Sequence, residues 1–209
     1  MFEIRSLRFT HDQQHSFDFP DITLKAEENL LVLGESGIGK TTLLHLMAGL
    51  LKPSTGTIKL LDTDLTALSA SQLDRFRGQH IGMVFQRPHF LNTLSIQQHL
   101  ELIQHLAGKK KDLNRIQEVA NSLQIENKLT RKPHQLSQGE QQRAAVALAV
   151  INSPKLILAD EPTASLDDNN CTKVADLLQK QAKATEALLI IITHDQRLKT
   201  RFQNQLALT

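Results

Sequence analysis

The run Gly34-Glu35-Ser36-Gly37-Ile38-Gly39-Lys40-Thr41 sets two glycines with four residues between them and follows the second with a lysine and a hydroxyl. This is the phosphate-loop pattern. Gly34, Gly37 and Gly39 let the backbone bend around an anion with no Cβ in the way. Unpaired backbone N–H groups at the start of the following helix, from Glu35, Ser36 and Ile38 through Thr42, point toward that anion, and the helix dipole adds positive potential. Lys40 is placed to reach outer phosphates, and the Thr41 hydroxyl to ligate Mg2+. A second candidate group lies far along the chain. Leu156-Ile157-Leu158-Ala159 is an apolar run that ends in two acids, Asp160 and Glu161. Beside a phosphate loop, Asp160 suits the cation and Glu161 suits a general base that polarises an attacking water.

These groups need rigid elements to hold them. Leu30-Leu31-Val32-Leu33 reads as a buried parallel strand before the loop. A helix from Thr41 to Leu51 follows, with Leu43, Leu44, Met47 and Leu51 on one face and Lys52-Pro53 as its stop. Phe2 to Phe9, Ser16 to Phe19, Ile22 to Leu24 and Thr57 to Leu60 form a small antiparallel sheet in this reading. Ser69 to Arg77 is predicted helical with Ser69 or Ser71 as N-cap, and Ile81 to Phe85 is predicted as a strand. The pattern then changes. Ile96, Leu100, Ile103 and Ala107 define one helix, and Asp112 caps a second with Leu113, Ile116, Ala120 and Leu123. Between them Lys109-Lys110-Lys111 reads as a solvated loop. No strand is predicted between Gln86 and Gln135. From Ser137 the alternation resumes: helix to Ile151, strand at Leu156, helix from Asn170, strand Leu188 to Thr193, a short helix and a last strand near Gln205 to Leu208. Strands alternating with helices imply a mainly parallel α/β sheet, here with an inserted helical lobe.

The totals bound the function. The chain has 209 residues, 24 Lys and Arg against 22 Asp and Glu, and a formal net charge of +2. So balanced a charge does not announce nucleic acid, and none is expected as a partner. A single cysteine, Cys171, cannot pair within the chain and fits a reducing compartment. Met1 to Pro20 carries Glu3, Arg5, Arg8 and Asp12 and does not read as a secretory signal. No apolar run approaches a membrane span, so a membrane role requires another chain to supply the crossing.

Leu136-Ser137-Gln138-Gly139-Glu140-Gln141-Gln142-Arg143 is the third constellation. Ser137 can cap the next helix, with Glu140 closing a capping box. Ser137 and Gly139 at a helix N-terminus also make a second anion site. This stretch resembles the signature motif of ABC-type ATPases. Gln86 after its strand resembles the Q-loop glutamine, Ala164-Ser165-Leu166-Asp167 the D-loop, and His194 after strand Leu188 to Thr193 the switch histidine. The resemblance spans about Leu7 to Leu208. It implies a P-loop NTPase fold of the ABC ATPase type over 1–209: a core and N-terminal β subdomain from 1–85 and 137–209, and a helical subdomain at 86–136.

It also implies a mechanism, with ATP and Mg2+ as cofactors. Two copies pair head to tail. Ser137 and Gly139 of one contact the γ-phosphate of ATP held by Lys40 of the other. His194 contacts that phosphate in its own copy and helps Glu161 hold water. Gln86 reaches the Mg2+ with Thr41 and Asp160, and Asp167 crosses the interface. Leu61 to Ser69 and Arg75 to Gln86 resemble the branch of lipoprotein release, macrolide export and cell division. Its ATPases are bacterial cytoplasmic subunits, peripheral on the inner face of the cell membrane, that drive a separate integral permease. Here that permease is expected to dock near Gln86 to Leu94, with Phe90 and Leu91 either as exposed anchors or packed within the lobe. A non-transporting clamp on a membrane partner is the alternative. Repair or translation ATPases and an inactive scaffold fit less well. The sequence departs from the family in four places. The family stacks an aromatic on adenine, but this chain has no Tyr or Trp; His11 sits nearest that position, with Phe9 or Phe17 as substitutes. Gln138 replaces a glycine of the signature, Gln98-His99 stands where Glu-Asn is common, and the usual trailing hairpin is missing after the last strand.

Overall fold

The computed structural model describes residues 1–10, 16–26, 28–35, 37–164 and 166–208. His11 and Ser36, both expected at the nucleotide, and Ser165 of the expected D-loop lie outside the described residues. The elements run β1 (Phe2–Thr10), β2 (Ser16–Asp18), β3 (Ile22–Leu24), β4 (Asn29–Leu33), α1 (Lys40–Met47), β5 (Thr55–Leu60), β6 (Thr63–Asp64), α2 (Ala70–His80), β7 (Ile81–Val84), α3 (Ile96–Leu106), α4 (Leu113–Ser122), α5 (Gln138–Val150), β8 (Leu156–Asp160), α6 (Asp168–Ala184), β9 (Leu188–Thr193) and β10 (Asn204–Ala207). Short 3-10 turns fill Leu65–Ala67, Glu126–Lys128, Pro133–Gln135 and Gln196–Arg201.

β4, β7, β8, β9 and β10 form one sheet in the order β10-β4-β9-β8-β7, and every pairing in it is parallel. β10 is a largely exposed edge strand, whereas β4, β8 and β9 are apolar and buried on both faces, as a sheet covered on both sides requires. The period-2 alternation sorts their side chains into two cores. Leu31, Leu33, Ile157, Ala159, Leu189 and Ile191 pack with residues of α3, α4, α5 and α6. Leu30, Val32, Leu156, Leu158, Ile190 and Ile192 pack with α1 and with Phe2, Ile4, Ile22, Leu24, Ile58 and Leu60 of a second, antiparallel sheet. That sheet runs β2-β1-β5-β6 with β3 also on β1. The result is a mixed α/β architecture, a parallel sheet between helices on one face and α1 with the antiparallel sheet on the other.

Small side chains set the spacing on the helical face. α5 buries Ala144, Ala145, Ala147 and Ala149. A Cβ at Gly82 of β7 would come within 2.2 Å of the Ala149 carbonyl oxygen, so only glycine admits this approach. Among the described residues, 86–136 contains α3, α4 and 3-10 turns and no strand.

Several boundaries differ from expectation: α2 runs on to His80, β7 ends at Val84, and the ends of α1 and α6 shift. α1 ends at Met47, four residues before Leu51. Its stop is Gly49, at φ +65°, not Lys52-Pro53. The Gly49 N–H donates to Leu46 O and the Leu50 N–H to His45 O, a Schellman closure that satisfies carbonyls a longer helix would have used. α1 also starts one residue early, at Lys40, and α6 starts at Asp168 because Asp167 caps it by accepting from the Asn170 N–H. The lysine loop is less free than expected: Lys109 Nζ donates to Asn152 O at 2.6 Å, and Lys111 pairs with Glu101 at 2.7 Å. Ser69, not Ser71, caps α2.

Candidate functional site

β4 delivers the chain to the loop, and α1 begins directly after Gly39. Gly39 is the N-cap, at φ +95°, where an added Cβ would strike the Phe17 ring at 2.7 Å. Gly37 also has positive φ, at +87°. The cap makes no side-chain hydrogen bond, and no acid occupies the first turn of α1. The N–H groups and positive end of this helix are therefore left for an external anion.

Lys40 is only 7% exposed. Its Nζ donates to Gly34 O at 2.8 Å and Glu35 O at 2.7 Å, so two of the loop's own carbonyls hold the ammonium. Glu161 Oε1 lies 3.8 Å from it. The parallel register of β8 beside β9 carries Asp160 and Glu161 to this end of the sheet. The Thr41 hydroxyl donates to Asp160 Oδ2 at 3.4 Å. Asp160 Oδ1 is buried with no hydrogen-bond partner. Burial, then the charge of Glu161, pushes the Asp160 carboxyl above the usual range, against the opposing Thr41 bond. A buried carboxylate oxygen without a partner, beside a hydroxyl, is a donor set that suits a hard divalent cation. The observation fits Mg2+ at Thr41 and Asp160.

Glu161 sits in the left-handed region at φ +46°, pinned by its N–H to Ile192 O at 2.8 Å. Its carboxylate accepts from the Thr193 hydroxyl at 2.6 Å and the His194 N–H at 3.2 Å. His194 Nδ1 lies 2.8 Å from Oε1. Phe17, Lys40, Thr41, Gln86, Glu161 and His194 all line one cleft of about 760 Å³, together with Glu35, Gly37, Gly39 and Thr42. Residues spread from Phe17 to His194 thus meet at the carboxyl ends of β4, β8 and β9, where open α/β sheets bind ligands.

Ser137, Gly139 and Asp167 are not in that cleft. Ser137 caps α5 as expected: its N–H donates to Glu140 Oε2 at 2.8 Å, and its hydroxyl accepts from the Glu140 N–H at 3.4 Å. The Ser137 N–H, with Lys128 next, holds Glu140 down to about 2. Gly139 lines a separate cleft with Gln138, Arg143, Pro162 and Leu166, which Gln86 also borders.

A family model described as ABC transporter matches residues 18–164. The chain belongs to the ABC transporter family. It is 36% identical over 194 residues to the lipoprotein-releasing system ATP-binding protein LolD of Legionella pneumophila (strain Lens), covering 90% of this chain and 84% of that one. It is 41% identical over 173 residues to HrtA of Staphylococcus aureus (strain bovine RF122 / ET3-1), named as an ATP-binding protein of hemin import, covering 82% and 78%. The ATP-binding cassette MJ0796, solved as a dimer in a post-hydrolysis state bound to ADP and Pi, matches with a TM-score of 0.88 at 27% identity over 100% of this chain and 94% of that one.

In this ABC cassette the sequence did not single out Thr193, fully buried at the end of β9. Its position directly before His194 is the only signal the sequence offers. Of the aromatics expected near the base, Phe17 has its ring against Gly39, and His11 lies outside the described residues. The Gln98-His99 departure also acquires a local reason. Gln98 closes a capping box with Ser95, and His99 Nε2 accepts the Leu91 N–H at 2.9 Å. Nδ1 lies 2.7 Å from Ser95 O, which fixes it as the protonated nitrogen of the neutral ring.

Proposed function

We propose that this cassette hydrolyses ATP as the nucleotide-binding subunit of a membrane transport complex, through a head-to-tail dimer of two copies. The observation that carries this reading is the gathering of Lys40, Thr41, Gln86, Glu161 and His194 around one cleft. The triphosphate of ATP rests on the backbone N–H groups from Gly37 to Thr42. Lys40 exchanges its two loop carbonyls for phosphate oxygens. Thr41 and Asp160, with Gln86, hold Mg2+, which supplies charge neutralisation for the phosphate oxygens when bound. Glu161 takes the proton of the attacking water as the water oxygen bonds to the γ-phosphorus and the bond to the β-phosphate oxygen breaks. His194 holds the water and the γ-phosphate. Phe17, stacked 6.0 Å from Phe19, offers an aromatic face for the base where Tyr and Trp are absent.

Ser137 and Gly139 lie outside their own chain's cleft, which is the arrangement that pairing with a second copy uses. Asp167 faces that copy in the same way. The segment 86–136 serves as the helical lobe. A groove of about 510 Å³, bordered by Met83, Phe85, Pro88, His89, Phe90 and Leu148, lies beside it. The groove supports a permease contact near Gln86 to Leu94. Leu91 is 53% exposed, whereas Phe90 is half-buried with its ring edge-on to His99 at 5.4 Å. Leu91 is the better anchor. No helix among the described residues is long and apolar enough to cross a membrane. In this reading the permease supplies the crossing and the cassette works from its cytoplasmic face.

The test is Glu161→Gln. With ATP and Mg2+ it should lose phosphate release by at least about 100-fold and accumulate as a dimer, seen by light scattering after size exclusion. Wild-type hydrolysis in this variant would remove Glu161 as the base.

A further inference from the structure

We infer that Thr193 is a positioning residue for ATP hydrolysis, orienting Glu161 so that Oε1 and not Oε2 receives the water proton. The inference rests on the hydrolytic reading above and concerns a residue that is not among those lining the cleft.

The geometry is restrictive. Thr193 is 0% exposed and closes β9, where its backbone pairs with Leu33 beside the phosphate loop. Its hydroxyl oxygen accepts the Asp195 N–H at 3.0 Å. A hydroxyl has one proton to donate. With Asp195 N–H as donor on one side, that proton points to the acceptor on the other, Glu161 Oε2, at 2.6 Å. Asp195 is itself immobilised. Its carboxylate accepts from the Thr163 hydroxyl at 2.8 Å and from Arg197 Nε and Nη2, each at 2.8 Å, and Arg197 Nη1 continues to Leu166 O at 3.1 Å. The direction of the Thr193 proton is thus set by a rigid network and not by the nucleotide.

The other contacts of Glu161 are weaker holds. The His194 N–H is shared between both carboxylate oxygens at 3.2 and 3.3 Å. The His194 ring contacts Oε1 at 2.8 Å, but its side chain is 65% exposed. Lys40 stands on the Oε1 side as well. Thr193 makes the shortest hold on Oε2, from a fully buried side chain. Oε1 is left facing Lys40, His194 and the cleft, where the water must lie. A carboxylate released from Thr193 could rotate and misplace its basic oxygen, and a misplacement of about 1 Å costs on the order of 100-fold in rate.

The experiment compares Thr193→Val with Thr193→Ser in the full chain. Valine keeps the shape and removes the hydroxyl; serine keeps the hydroxyl. Phosphate release and the affinity for a fluorescent ATP analogue are measured with Mg2+. For Thr193→Val we expect kcat to fall by roughly 10- to 100-fold, with nucleotide affinity and KM within about threefold of wild type. Thr193→Ser should recover kcat to within about threefold. A valine variant with wild-type kcat overturns the proposal. So does a valine variant that loses kcat and nucleotide affinity together, since Thr193 would then merely support the loop. A serine variant as slow as valine overturns it too. In all three cases Glu161→Gln still abolishes hydrolysis if the underlying reading stands. Wild-type rates in Glu161→Gln would instead remove that reading and this proposal with it.

Discussion

Two helix N-termini in this cassette carry similar small-residue sequences and are built in opposite ways. α1 begins after Gly39, with no side-chain cap and no acid in its first turn. α5 begins after Ser137, with a reciprocal capping box and Glu140 in its first turn, further paired to Lys128 at 3.0 Å. The first leaves its N–H groups and its dipole unanswered and adds Lys40. The second satisfies much of its own demand and places a carboxylate near where an anion would sit. The first end is open to an anion. The second meets much of its own demand within the chain. In the proposed head-to-tail dimer, this asymmetry would make the first the primary phosphate site and the second the end that completes it.

The contrast can be broken most severely at Lys40. Lys40→Ala should weaken binding of ATP with Mg2+ by on the order of 100-fold or more, read by titration with a fluorescent nucleotide. Retained affinity would mean that the open end of α1 suffices without its lysine. Ser137→Ala tests the other end. Phosphate release should fall by about 10- to 100-fold while nucleotide affinity of the single chain stays unchanged, and loss of the cap should cost about 1 kcal/mol of stability. Equal losses of affinity in both variants would erase the distinction between the two ends. The smallest effect is expected for Glu140→Gln, which keeps a capping-box partner but removes the charge. Glu140 is held down to about 2 in the folded chain. A depressed carboxyl contributes stability above its unfolded value, and loses it as pH falls through that range toward about 2. The melting temperature of wild type should therefore exceed that of Glu140→Gln near pH 7, and the gap should close on acidification toward about pH 2. A gap independent of pH would assign the stabilisation to geometry, not charge.

Much of this was legible because the relevant signals are local. The loop from Gly34 to Thr41 carries its own conformation in its glycines, and Ser137 and Asp112 cap helices through partners three residues away. The apolar runs of β4, β8 and β9 announce strands buried on both faces. Less legible were features that depend on neighbours distant in sequence. The stop of α1 at Gly49 was missed because Leu50 and Leu51 continue the helical apolar spacing, whereas the observed closure uses the left-handed freedom of glycine, and a Cβ there would meet Leu73 at 2.8 Å. Lys109 looked solvated because its acceptor, Asn152 O, lies 43 residues away.

The sequence by itself determined the phosphate loop, the acid pair Asp160 and Glu161, the capped start of α5 and the order of strands and helices, because each follows from residue types at short range. Tertiary structure decided that the Phe17 ring lies against Gly39, that Asp160 keeps a buried oxygen without a partner, and that Thr193 takes one oxygen of Glu161. Those facts arise where separate strands are brought into register, and hydrogen-bond directions at such junctions are fixed only when all the partners are in place.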